Sequence, residues 1–170
     1  WADWRAAHPD TLVLSRDTGY DRDYGSGVVY AAYFASPDLM FPVIVRNEEK
    51  YRRKDYVFGM REAGGAKAWP LSAFEDDAVI NDTVGLKQVV LVGDAATRSV
   101  RAYYRDGHSF EKTGQPHQLQ GPLGGIWEVE EEFLVGPNGT RLARAPGHIS
   151  YWFAWDGYLG VRSELYEVEK

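Results

Sequence analysis

Three aspartates, Asp17, Asp21 and Asp23, fall within seven residues of one polar segment, punctuated by Gly19 and Gly25. Clustered carboxylates are the ligands a hard cation such as Ca²⁺ takes, and Asp21, Asp23 and Gly25 share the D-x-D-x-G start of a calcium loop. The distal bidentate Glu of that motif is missing. Arg16 and Arg22 lie among the acids, so the other reading is a loop held by Arg–carboxylate pairing. Asp17, Asp21 and Asp23 are therefore a candidate metal set for Ca²⁺, and Arg–Asp pairing without a cofactor is the expectation. A second polar turn, residues 93–99 (GDAATRS), follows the apolar run VVLV. Its Asp94, Thr97 and Arg98 suit a small polar ligand at the end of a buried strand, or a turn in which Asp94 and Thr97 satisfy local backbone donors. His148 precedes an aromatic segment. It either joins Asp94 in a ligand site or hydrogen-bonds at a helix entry. Asp94, Thr97, Arg98 and His148 form the candidate ligand-binding set.

Other chemistries lack their residues. The four histidines have no H-x-H or H-E-x-x-H spacing, and no G-x-S-x-G elbow or phosphate-loop Gly-Lys-Ser/Thr run occurs. The acidic run Glu128, Glu130, Glu131 and Glu132 beside Trp127 resembles a glycosidase carboxylate pair in composition, but alternate Glu on a strand face solvent. Zero cysteine excludes disulfides, thiol nucleophiles and Cys-ligated metals. With 19 Lys+Arg against 25 Asp+Glu the net charge is −6, which argues against a nucleic-acid partner. The basic run KYRRK at 50–54 is too short to reverse that.

These residues need elements to hold them. Residues 1–8 read as a short helix stopped by Pro9, and residues 11–15 (TLVLS) and 43–45 as strands. From residue 54 onward short apolar runs alternate with turn signals. Strands are predicted at 55–61, 66–69, 78–81, 88–92, 99–105, 109–112, 127–135 and 140–143, with hairpins around 82–87, Asp106-Gly107 and Pro137-Asn138-Gly139. Ile149, Trp152 and Phe153 share a helical face, predicting a helix across 149–155. Trp1 and Trp4 echo Trp152 and Trp155 at the same spacing, which suggests two helices sending Trp into one core, or the boundaries of a duplicated unit. The prediction is mainly β or α+β: a single β-rich barrel- or sandwich-like domain over 1–170 with a short helix near each end. Within it, 1–10 is an N-terminal helix or linker, 11–160 the β-rich body and 161–170 a tail. The 24 aromatics among 170 residues exclude a disordered chain, and no apolar run is long enough for a transmembrane segment.

The stretches WADWRAAHPDTLVLSRDTGYDRDYG, SPDLMFPV, VFGMR, GGAKAWPL, VINDTVG, VVLVGDAATRSVRAYYR and PGHISYWFAWDGYLG together resemble the DUF3179 family of bacterial and archaeal proteins. The similarity is to the family's C-terminal portion. Fuller members carry a preceding, similar half with a Cys-Pro-x-Cys motif, and the matching stretch here, residues 93–98, holds no cysteine. The resemblance implies a β-rich fold and an exported, extracellular or periplasmic location. The chain opens on Trp1 with no signal peptide, so a removed leader or an upstream segment is expected. The functional expectation is a non-catalytic binding or assembly module that presents aromatic-rich surface to a protein partner or to itself. The alternative is a metal-dependent or small-ligand-processing enzyme with a site near the 16–25 loop, Asp94 and His148.

Overall fold

The computed structural model describes residues 1–25, 27, 29–76 and 78–168. The chain divides into two compact units, residues 1–40 and 41–170. Strand makes up 36% and helix 19% of the described residues, as the turn-punctuated sequence predicts.

The first unit carries α1 (Ala2–Ala7) and α2 (Ala31–Ala35). The expected strand at 11–15 does not form, because a strand needs a ladder partner and this unit supplies none. Trp1 and Trp4 are exposed, so the expected pair of Trp-burying helices is reduced to one. A six-residue helix has too little apolar face to bury both indoles. Trp4 instead lies tilted against His8, one turn on, with ring centres 4.1 Å apart, and donates its indole N–H to Thr11 Oγ1 at 3.0 Å.

Among the described residues the second unit contains twelve strands in two sheets. In the first, β1 (Tyr56–Glu62) pairs with β2 (Gly65–Pro70) and with β11 (Gly147–Tyr151), and β12 (Ser163–Leu165) runs parallel to β2. The expected tail thus contributes an edge strand; its residues 169–170 lie outside the described residues. The second sheet is nearly a closed barrel. Its order is β3 (Ala78–Val84), β4 (Lys87–Asp94), β5 (Ser99–Tyr104), β10 (Arg141–Ala145), β9 (Phe133–Val135), β8 (Ile126–Val129), β7 (Gln118–Gln120) and β6 (Glu111–Lys112). Asn81 bridges the gap between the two ends. Its Nδ2 donates to the Phe110 carbonyl at 2.7 Å and its Oδ1 accepts from the Phe110 N–H at 2.9 Å, so one amide stands in for a rung of ladder.

Alternation on β4 explains the two cores. Val89 and Leu91 face one side, packing with Phe58, Trp69 and Phe74 between the sheets. Val90 faces the other, filling the barrel with Tyr103, Phe110, Trp127 and Leu134. A third cluster sets Trp152, Trp155 and Leu159 of α3 (Trp152–Leu159) against Val57 and Ala68. Trp69, Trp127, Trp152 and Trp155 are all buried, as their types predict.

Four local expectations are corrected. Residues 43–45 form no strand; their segment is pinned by Asp156, a fully buried carboxylate that accepts from the Arg46 N–H and, at 2.9 Å, from Asn47 Nδ2. Asp106 and Gly107 turn the chain with positive φ of 45° and 84°, but the strand after them pairs with β7 and not with β5. The predicted strand at 127–135 breaks into β8 and β9, which fold back on each other across the Glu130–Glu132 acids. Residues 149–151 are strand, with helix starting only at Trp152. The β-branched and aromatic character of Ile149 and Tyr151 suits pairing with β1, and that pairing wins over the helical spacing.

Candidate functional site

The β4–β5 connection builds the first site. Asp94 ends β4 and its carboxylate is consumed locally: Oδ1 accepts from the Ala96 N–H at 2.8 Å, and Oδ2 from Thr97 Oγ1 at 2.7 Å and the Thr97 N–H. The Thr97 hydroxyl, then the Ala96 N–H, hold the Asp94 carboxyl below its ordinary value. Asp94 and Thr97 wall a cavity of about 350 Å³ at the barrel mouth, together with Ser99, Arg101, Lys112 and His117 over a floor of Val92 and Leu119. Its cations are engaged. Arg101 forks onto Glu131 Oε2 at 3.1 and 3.0 Å, Arg144 bonds the other oxygen, and Lys112 donates to the Asp76 carbonyl. Burial pushes the Glu131 carboxyl up, but the bonds from Arg144 and Arg101 and their charge together hold it below its usual range.

Arg98 does not line that cavity. It adopts φ 53°, donates to the Tyr56 hydroxyl at 3.1 Å and lies 4.5 Å over that ring, tying the turn to β1. His148 also stands elsewhere. It is on strand β11 opposite Gly59, not at a helix entry, and lines a separate cavity with Arg61, Ser150, Trp155 and Tyr158. The structure thus brings Asp94 and Thr97 together and sets Arg98 and His148 apart from them.

In the acidic loop Asp17, Asp21 and Asp23 are exposed and make no ion pair among the described residues, nor do Arg16 and Arg22. The expected Arg–Asp pairing is replaced by short-range polar bonds. Asp23 Oδ1 accepts from the Gly25 N–H at 2.7 Å, Ser15 Oγ from the Asp17 N–H at 3.0 Å, and the Thr18 and Tyr24 hydroxyls meet at 2.8 Å. Asp and Ser satisfy backbone donors two residues on at little entropic cost, and long arginines gain little from an exposed pair. Among the described residues no three His, Asp or Glu side chains gather as a metal cage.

The family model for a protein of unknown function, DUF3179, matches residues 1–161 of the 170. The chain belongs to the DUF3179 family. No curated protein and no solved structure matches it. Among the described residues of this DUF3179 protein no helix is long and apolar enough to cross a membrane. Residue-type reasoning missed Arg61, Ser150, Tyr158 and Arg101, and read Glu131 only as part of a solvent-facing acidic run. The signal for Ser150 was its spacing of two from His148, which puts both on one face once the segment is read as strand.

Proposed function

We propose that this DUF3179 protein is an exported, non-catalytic assembly module whose N-terminal segment pairs with a second copy of the chain. The observation that carries the reading is the state of residues 11–15. Leu12 and Leu14 are 95% and 96% exposed, and among the described residues no backbone hydrogen bond is made by residues 12–14. Among the described residues eleven of the nineteen exposed large hydrophobics fall in residues 1–40, Trp1, Trp4, Tyr20 and Tyr30 among them, and none of that segment is buried. Concentrated apolar surface of this kind marks an interaction site.

The sequence favours self-pairing. An antiparallel pair of these segments centred on Val13 sets Leu12 against Leu14, Thr11 against Ser15 and Asp10 against Arg16. Each segment then fills the other's empty ladder under two-fold symmetry. Neither Asp10 nor Arg16 has an ion-pair partner among the described residues. Opposed charges across a strand pair contribute roughly 0.2–1 kcal/mol each, and the symmetric register contains two such pairs. An extracellular or periplasmic location is the expectation drawn from the resemblance, and cell fractionation tests it.

Sedimentation velocity across a concentration series tests the assembly. The expected outcome is a concentration-dependent dimer that Val13→Pro abolishes. Asp10→Arg and Arg16→Asp each weaken it alone, and combining them restores it. A chain that stays monomeric throughout, or a dimer indifferent to Val13→Pro, overturns the reading.

A further inference from the structure

On β11, His148 stands opposite Gly59 and Ser150 opposite Val57. Directly paired residues share a face, so His148, Ser150, Gly59 and Arg61, two residues beyond Gly59, all look toward α3. Gly59 makes the arrangement possible: a Cβ there would come within 2.1 Å of the Trp155 ring. With that space free, the indole lies over the sheet and 5.7 Å from the His148 imidazole. Arg61 sits 5.8 Å from the centre of the Tyr158 ring, and Arg162 lies 6.0 Å from the same ring. A cavity of about 290 Å³ opens between them, with Arg61, His148, Ser150, Trp155 and Tyr158 in its wall.

The charge balance of this cavity is unusual for a chain of net charge −6. No carboxylate of the described residues lines it. Arg61 has no ion-pair partner among the described residues. Glu62 borders an adjoining cavity with Gly59, Arg61 and His148, and its carboxylate is engaged there, accepting from the Tyr104 hydroxyl at 2.7 Å. Among the described residues Arg162 bonds the carbonyls of Leu159 and Tyr158 and no carboxylate, so it adds positive potential there. The Ser150 hydroxyl is buried with no hydrogen-bond partner among the described residues. A buried hydroxyl without a partner costs about 1–3 kcal/mol, so it is conspicuous beside an uncompensated guanidinium.

We propose that the cavity between β1, β11 and α3 binds the oxyanion of a small organic acid, with Arg61 as its anchor. The planar guanidinium fork takes two oxygens of a carboxylate or phosphate at once. The His148 ring N–H and the Ser150 hydroxyl are the flanking donors. Trp155 and Tyr158 give the carbon body of the ligand an apolar wall. This site is independent of the N-terminal pairing segment.

The test is an amide and indole NMR titration of the full chain with sodium phosphate and, separately, sodium acetate, at ionic strength fixed with sodium chloride. Saturable shifts centred on Gly59, Arg61, His148 and Ser150 are expected with at least one anion, and which of them saturates distinguishes a phosphate from a carboxylate. Arg61→Gln should weaken that binding about tenfold or more with the melting temperature unchanged, because Arg61 is exposed and pairs with no carboxylate among the described residues. Arg162→Gln should weaken it less. No saturable shift with either anion up to roughly 20 mM, or equal shifts in Arg61→Gln, overturns the proposal.

Discussion

Asp156 is a buried carboxylate whose partners are the Arg46 N–H and the Asn47 side-chain amide, about 110 positions away in the chain. Asp156→Ala removes both acceptors and strands two donors, so the expected cost is about 1–3 kcal/mol in denaturant unfolding. Asp94 acts through titration. Its carboxyl is held below its ordinary value of 3.8 by Thr97 and Ala96. A depressed folded-state value means the stabilisation is present above the ordinary value and is lost as pH falls through the folded one. Melting temperatures of the parent and Asp94→Asn should therefore differ at neutral pH and converge in acid; a gap that persists at the lowest pH would contradict the carboxylate's role. Tyr103 works in the other direction. Burial pushes its hydroxyl up to about 12, so its contribution is intact below the ordinary value of 10 and fades as pH climbs toward 12.

Elements carry the second scale, and α3 is the informative one. Trp155 fits only because Gly59 lacks a side chain, so Gly59→Ala forces the indole off the sheet and should cost about 1–3 kcal/mol by overpacking. Trp152→Ala on the same helix empties a filled site and should cost about 3–5 kcal/mol. A Trp152→Ala loss below about 1 kcal/mol would place that side chain outside the core. Much of the strand pattern feeding this core was legible. The alternation through 78–92 and the turn residues around Gly85 and Asn138 predict the β3–β4 and β9–β10 hairpins that form. Local signals failed where pairing decided. Residues 11–15 have strand chemistry without a partner, and Ile149 fits a helical period over too short a run to be told from a strand. The meeting of Arg61 with His148 was illegible for the same reason. Only the β1–β11 register joins residues that far apart in sequence, and nothing local encodes which strand pairs with which.

For the whole molecule, the distribution of burial separates what folds from what associates. The buried hydrophobic residues run from Val57 to Leu159, and both sheets and all three apolar clusters lie within residues 41–170. Residues 1–40 contribute no buried residue among those described, yet they hold most of the exposed large apolar side chains. A segment with no core of its own cannot offset the entropy of ordering its backbone, roughly 1–2 kcal/mol per residue, by intramolecular burial. Its apolar surface is worth most when a second chain covers it. A chain beginning at Phe41 should therefore keep its fold, with the strand-dominated circular dichroism of the parent and a monomer melting temperature within about 3 °C, equivalent to less than about 1 kcal/mol at this size. The same chain should sediment as a monomer at concentrations where the full chain dimerises. If truncation collapses the melting transition, residues 1–40 belong to the folding unit and the division of labour is wrong. If the truncated chain still dimerises, the pairing surface lies on the β-rich body and not on residues 11–15.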